Sequence, residues 1–382
     1  MRSLDEFAGE KLGVLERAKL RRTPWVTARA GIWAECGGQR LLSFSCNDYL
    51  NLSQHPEVVA AAIAATRLYG VGAGASRLVT GNHPLHAELE SRLARLKGTE
   101  AACIFGSGYL ANTGIIPALV GPRDLIVVDE LSHACIHAGA KLSGATVKLY
   151  RHVDIADAEA QLTAHRSGKK RALIATDGVF SMDGDLAPLA ALSELAQRFD
   201  AWLLSDDAHG IGVVGGGRGS NFTNGECDVP LQMGTLSKAV GAYGGYLCAS
   251  RAVIDFMYTR ARTFIYSTGL PPPVVAAAVA ALDIIESQPA YVAQPLRKAR
   301  LFTRALNLPE AQSAIVPVIV GDAETALAAS ELLRDEGFLV VAIRPPTVPE
   351  GTARLRFAFT AQHPDGEVER LADVVRQRVL RR

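Results

Sequence analysis

From about residue 100 the chain alternates short apolar runs with amphipathic stretches, and that rhythm constrains its fold more than any other feature. The apolar runs fall at 101–105, 125–129, 146–150, 172–176, 202–206, 229–234 and 246–249. Between two of them, APLAALSELAQRF (187–199) repeats Leu189, Leu192, Ala196 and Phe199 at helical spacing. Strands covered by crossover helices on both faces read as continuous apolar runs, because neither face meets water. Seven such runs predict one large, mostly parallel, seven-stranded α/β sheet.

The C-terminal part carries a different pattern. IVPVIVGD (315–322) reads as a strand, and a helix over 324–335 closes near Gly337. FLVVAIRPP follows, and then RLRFAFT, whose Leu355, Phe357 and Phe359 alternate as in a half-covered antiparallel strand. A last helix carries Val368, Leu371, Val375 and Val379. The pattern predicts a smaller α+β domain made of residues 1–45 and 286–382, beside a large α/β domain over 46–285. Pro271-Pro272-Pro273 opens an Ala-rich stretch suited to a connecting helix.

Charge and cysteine usage exclude several classes. Forty Lys+Arg against thirty-nine Asp+Glu leave a formal charge of +1, so there is no basic footprint for nucleic acid or an anionic membrane. The longest apolar stretch, residues 274–282, stops at Asp283, short of the roughly 20 residues that span a bilayer. The start, MRSLDEFAGEKLG, carries acids where a signal peptide needs a basic beginning and an apolar run, and a cytoplasmic location is expected. Six scattered cysteines form no Cys-x-x-Cys pair. His133 and His137 stand four apart, but no third ligand accompanies them, and no metal site is expected.

Three segments carry chemistry. In GTLSKAVGAYGG (234–245) Lys238 follows an apolar strand and sits among small residues, near the carboxyl edge where open α/β sheets bind ligands. A partly buried lysine is costly unless it is paired or used, and imine formation with an aldehyde is one use. In AWLLSDDAHG a strand ends in Asp206-Asp207-Ala208-His209. An aspartate there can keep a heterocyclic nitrogen protonated. At about 4 Å and an effective dielectric of about 20 the Coulomb energy is roughly 4 kcal/mol, enough to raise that nitrogen's pKa by about three. Asp207 reads as an ordinary strand-end cap. FGSGYLAN (105–112) is a glycine turn between strand and helix, whose amides and helix N-terminus suit an anion. The same stretch admits a rival reading. Gly106, Gly108 and Ala111 satisfy G-x-G-x-x-A and Asp129 ends the next strand, as in a dinucleotide-dependent dehydrogenase. That reading explains neither Lys238 nor Asp206.

The order of these segments resembles the pyridoxal 5'-phosphate (PLP) enzymes of fold type I, and more closely the α-oxoamine synthases. The similarity is carried by SFSCNDYLNLS (43–53), GVGAGASRLVTGNHPLHAELE (70–90), DELSHACIHAG (129–139), TDGVFSMDGDLAPL (176–189), DDAHGIGVVGGGRGS (206–220) and IYSTGLPPP (265–273). Within the family, AIRPPTVPEGTARLR (342–356) is most similar to the member of biotin biosynthesis that joins L-alanine to a pimeloyl thioester of coenzyme A or acyl carrier protein. A sister synthase using glycine or another acyl group remains open. So does a non-enzymatic paralogue, although such a chain would be expected to lack Lys238 or Asp206. Arg77 departs from the histidine that some members of the L-alanine type carry.

The resemblance implies roles. Lys238 would hold PLP covalently and later move the substrate's Cα proton, and Asp206 would pair with the pyridinium nitrogen. His133 would stack on the ring, while His209 and Ser181 would hydrogen-bond its phenolic oxygen. Gly108, Tyr109 and Thr235 would hold the phosphate, with Thr268 contributed across a homodimer. Asn47 and Arg344 would lie near the substrate carboxylate, Thr347 would make a further contact, and Arg21 or its neighbour Arg22 would meet the acyl group.

Overall fold

The computed structural model describes residues 3–18 and 20–380, so the outermost ends of the expected smaller unit lie outside the described residues. Seven strands form the main sheet in the spatial order Ala101–Phe105, Gly245–Ala249, Leu231–Thr235, Trp202–Asp206, Ala172–Asp177, Leu125–Asp129, Thr146–Tyr150. Gly245–Ala249 runs antiparallel to both neighbours, and the other adjacent pairs are parallel. Side chains alternate between the two faces. Ile126 and Val128 enter one core cluster with Ile115 and Ile136, while Leu125 and Val127 enter another with Leu162 and Leu192. Helices therefore cover both faces, which explains the continuous apolar runs.

Two strands depart from the expected pattern for local reasons. The 229–234 run forms its strand over Leu231–Thr235, since Pro230 has no N–H to give a ladder. Thr146–Tyr150 lies at the sheet edge, with Val147 and Leu149 exposed. Pro272–Ser287 forms the Ala-rich helix, with proline in its first turn, where no backbone donor is missed. Its Val275, Ala278 and Leu282 join Val58 of the Pro56–Tyr69 helix in one cluster.

The remaining elements make two small sheets. Ile315–Gly321, Ala353–Ala358 and Val341–Ile343 pair antiparallel, with Val318 opposite Leu355. Ala28–Ala30, Trp33–Cys36 and Gln39–Ser43 form a meander that Phe338–Leu339 joins in parallel. Leu42 and Phe44 pack with Phe302, Leu355, Phe357, Phe359 and Leu371. One expectation fails here. Ala353–Ala358 is covered on both faces, because Arg354 and Arg356 turn inward and are nearly fully buried. Among the described residues no single helix is long and apolar enough to cross a membrane.

The parallel strands end on one edge of the main sheet. Asp129, Asp177, Asp206 and Thr235 are the last residues of their strands, and Ala101–Phe105 leads into the glycine turn beside them.

Candidate active site

A cavity of about 210 Å³ opens at that edge, lined by Gly108, Tyr109, His133, Asp177, Asp206, His209, Thr235 and Lys238 among others. Seven of the residues singled out in the sequence thus meet in one space, although they lie as far apart in the chain as Gly108 and Lys238. Lys238 follows the Leu231–Thr235 strand, and its Nζ lies 2.6 Å from His209 Nε2. Burial pushes the lysine down to about 8, against partial compensation by the Asp206 and Asp177 carboxylates. The amine is therefore far closer to its nucleophilic neutral form than a surface lysine.

Asp206 is buried and held on three sides. Asn112 Nδ2 donates to its Oδ2 at 2.7 Å, Cys135 Sγ approaches the same oxygen at 3.8 Å, and the Ala208 amide donates to Oδ1 at 3.0 Å. Asp177 stands opposite Asp206 on the next strand. Burial and the neighbouring Asp206 carboxylate raise Asp177 well above the usual range. Asp207 turns away, its Oδ2 taking Lys97 Nζ at 2.6 Å and its Oδ1 the Ser220 amide at 2.9 Å. The strand end thus separates one carboxylate for the cavity from one for the core.

His133 caps the Ala134–Ser143 helix, with Nδ1 accepting from the Cys135 amide at 3.2 Å. Its own amide donates to Asp177 Oδ1 at 3.0 Å. Burial lowers its imidazole pKa despite the nearby Asp206 charge, favouring the neutral ring. Ser107 caps the Gly108–Leu119 helix through Leu110 N at 3.1 Å, so the cavity has a helix N-terminus in its wall. A Cβ on Gly108 would lie 3.3 Å from Met233 Cε and 3.5 Å from Thr235 Cβ, closing that corner. Thr235 Oγ1 donates to Gly244 O at 2.7 Å.

The remaining sequence candidates do not line this cavity. The Ser181 carbonyl accepts from Arg356 Nε at 2.5 Å. Asn47 Oδ1 accepts from Arg356 Nη1 at 3.1 Å and from Tyr49 Oη at 3.2 Å. Arg21 and Arg344 line a second cavity, about 530 Å³, together with Arg22, Trp25 and Arg334. Arg22 Nη2 donates to Thr347 Oγ1 at 3.1 Å, while Arg21 pairs with Glu16. Thr268 is exposed, bridges to Ser76, and does not line the cavity of its own chain. Among the described residues no group of three His, Cys, Asp or Glu side chains is placed to hold a metal ion.

Arg356, Tyr49, Asn112 and Asp177 escaped the sequence reading. An arginine alternating with apolar residues on a strand looks like a solvated face, and only the packing of that strand against Asn47, Tyr49 and Ser181 shows otherwise. Arg354, on the same face, pairs with Asp183, whereas Arg356 takes a carbonyl, an amide and a phenol oxygen and has no acidic partner among its hydrogen bonds. The dinucleotide reading loses its acidic residue. Asp129 is fully buried, and its oxygens hold His152, Leu131 N and Val153 N.

Known proteins share this sequence pattern and fold. The family model for aminotransferase class I and II matches residues 39–375. An 8-amino-7-oxononanoate synthase from Methylocella silvestris is 68% identical over 340 residues, covering 89% of this chain and 97% of the relative. Among solved structures, serine palmitoyltransferase from S. paucimobilis with bound PLP superposes with a TM-score of 0.90 at 29% identity, covering 97% of each chain. The 8-amino-7-oxononanoate synthase of Francisella tularensis superposes with a TM-score of 0.76 at 26% identity, covering 89% of this chain and 98% of the other. PLP needs an amine for its aldehyde, a negative partner for its ring nitrogen and a pocket for its phosphate. The cavity supplies a low-pKa Lys238, a buried Asp206 and the open corner at Gly108 beside a helix N-terminus. The residues fit the cofactor, and the chain belongs to the aminotransferase class I and II family and, within it, to the PLP-dependent 8-amino-7-oxononanoate synthases of the α-oxoamine synthase group.

Proposed function

We propose that the chain condenses L-alanine with the pimeloyl thioester of coenzyme A or acyl carrier protein, releasing carbon dioxide and the free thiol and giving 8-amino-7-oxononanoate. The observation that carries this reading is a continuous path of contacts, partly buried at both ends, from the low-pKa Lys238 amine to the Arg356–Asn47 pair. It runs from Lys238 through His209 and Tyr49 to Arg356 and Asn47. When bound, PLP supplies an electron sink for the charge left on the substrate Cα. The protein does the rest. Lys238 takes and returns the Cα proton, Asp206 keeps the ring nitrogen protonated, and His133 covers the ring face. His209 and Ser181 face the phenolic oxygen. Gly108, Tyr109 and Thr235 hold the phosphate, with Thr268 arriving from the second subunit of a homodimer. Arg356 and Asn47 grip the amino-acid carboxylate, a grip that the family resemblance assigns to Asn47 and Arg344. A planar guanidinium presents two parallel donors to a carboxylate, which fixes the orientation of the bond to be broken. Arg21, Arg22, Arg344 and Thr347 serve the acyl side. In this reading residues 46–285 form the cofactor domain, and 1–45 with 286–382 the smaller one.

The reactivity of Lys238 is testable through pH. Capture of the PLP aldehyde needs the neutral amine, and raising the pH deprotonates the ammonium. With the group pushed down to about 8, capture by the apoprotein should rise about tenfold per pH unit below pH 7 and level off above about pH 8. An ordinary lysine would keep gaining until about pH 10. Absorbance stopped-flow between pH 6 and 10 separates the two, and a rate still climbing at pH 9.5 would count against an activated amine.

Substrate identity is tested by thiol release from pimeloyl-, succinyl-, acetyl- and palmitoyl-CoA, each with alanine, glycine and serine. Pimeloyl with alanine should give the highest specificity constant. Glycine should lag by only about 10- to 100-fold, because one methyl group contributes about 1–3 kcal/mol. If succinyl-CoA or acetyl-CoA with glycine won, the chain would be a sister synthase with the same cofactor chemistry.

A further inference from the structure

We infer that Tyr49 is a positioning residue that sets the tautomer of His209, and that Arg356 biases it so that the Nε2 proton faces the cavity. The inference rests on the reading above, in which Lys238 carries the cofactor. Both ring nitrogens of His209 are engaged: Nδ1 is 2.7 Å from Tyr49 Oη and Nε2 is 2.6 Å from Lys238 Nζ. Tyr49 is fully buried, so its single hydroxyl proton must go to a protein acceptor. Two acceptors are within reach, His209 Nδ1 and Asn47 Oδ1, the latter at 3.2 Å.

Arg356 tips the choice in two ways. Its Nη1 already donates to Asn47 Oδ1 at 3.1 Å, and its Nη2 approaches the phenol oxygen at 3.5 Å. The amide oxygen, already polarised by a charged donor, is the weaker and more distant of the two acceptors (3.2 Å against 2.7 Å for Nδ1), and the positive charge beside the phenol oxygen makes the hydroxyl a stronger donor. Its proton goes to Nδ1. A neutral imidazole with Nδ1 as acceptor carries its one proton on Nε2. Burial lowers the ring's pKa well below its ordinary value and the Arg356 charge adds to this, so the ring is neutral, and the neutral form of the Lys238 amine is the one that accepts from Nε2–H. Asp206, Asp177, His133, Cys135 and Tyr109 are the other titratable groups lining this cavity. When Lys238 commits its lone pair to the cofactor, Nε2–H becomes free to donate to an oxygen acceptor on it. When a substrate carboxylate draws on Arg356, the bias on Tyr49 weakens. Occupancy of the carboxylate site is thus relayed to the imidazole through one phenol.

The test uses ¹⁵N-histidine-labelled holoenzyme, with His209 assigned by difference against His209→Gln. Wild type should show an unprotonated Nδ1 and a protonated Nε2. Tyr49→Phe keeps the ring and removes the hydroxyl. The two tautomers should then mix, the midpoint of the cofactor's absorbance titration should move by about one pH unit, and the PLP dissociation constant should rise about tenfold. Asn47→Asp provides a check that leaves Tyr49 in place should the first variant fold poorly. The new carboxylate should draw the phenol proton, leaving Nδ1 protonated and Nε2 bare. Unchanged His209 resonances and an unmoved midpoint in the folded variants would overturn the inference. A wild-type protein with no cofactor linked to Lys238 would instead defeat the functional reading beneath it.

Discussion

Lys238→Ala should lower turnover by at least about 10⁴-fold, the upper range of what a positioned acid–base group contributes, because one side chain holds the cofactor and moves the proton. The variant should still bind PLP through the phosphate corner at Gly108 and the Asp206 partner, but without a covalent link. Borohydride should fix PLP on the wild-type peptide containing Lys238 and leave the variant unlabelled, since an imine is reducible and a hydrogen-bonded ligand is not. Mass mapping of the two digests reads the result. Label on another lysine, or turnover within tenfold of wild type, would remove Lys238 from the chemistry. The position is well chosen for the task. Burial that would waste a spectator ammonium here lowers Lys238 to about 8, and the His209 contact holds its Nζ beside a neutral ring.

The second large effect is expected at Asp206→Asn. The shape is preserved, but Asn112 Nδ2 and the Ala208 amide donate to different carboxylate oxygens, and the asparagine oxygen can serve only one of them. The larger loss is one negative charge. Roughly 4 kcal/mol of Coulomb stabilisation at about 4 Å corresponds to about 10³-fold in turnover. PLP affinity should fall by about tenfold or less, because phosphate and lysine contacts remain. Isothermal binding and steady-state rates on the same preparation separate the two quantities. Near-normal turnover would show that Asp206 only caps its strand. Asp207→Asn is the natural contrast, since Asp207 pairs with Lys97 in a fully buried ion pair, and its removal should cost folding stability while any folded protein keeps its cofactor spectrum.

Much of this was legible in the amino-acid order. Seven apolar runs without alternation meant a sheet covered on both faces, and Lys238, Asp206 and the 105–112 turn pointed to one edge because parallel strands expose their carboxyl ends together. The linear signal is strong there because each such residue is adjacent in sequence to the strand that positions it. The edge strand Thr146–Tyr150 and the late start at Leu231 blurred that signal, since exposure and a proline are local exceptions to a rule about burial.

Packing supplied what adjacency could not. Arg356 lies 309 positions from Asn47 and 175 from the Ser181 carbonyl it touches, and nothing in RLRFAFT distinguishes an arginine facing water from one facing a buried phenol. The division of labour between Asp206 and Asp207 likewise depends on which direction each side chain leaves the strand end, and on Lys97 waiting on one side and Asn112 on the other. Residue types at strand ends therefore specify what chemistry the chain carries. Which of those residues become charged, neutral or paired follows from burial and from partners distant in sequence, because desolvation and hydrogen bonding act only once the sheets have packed.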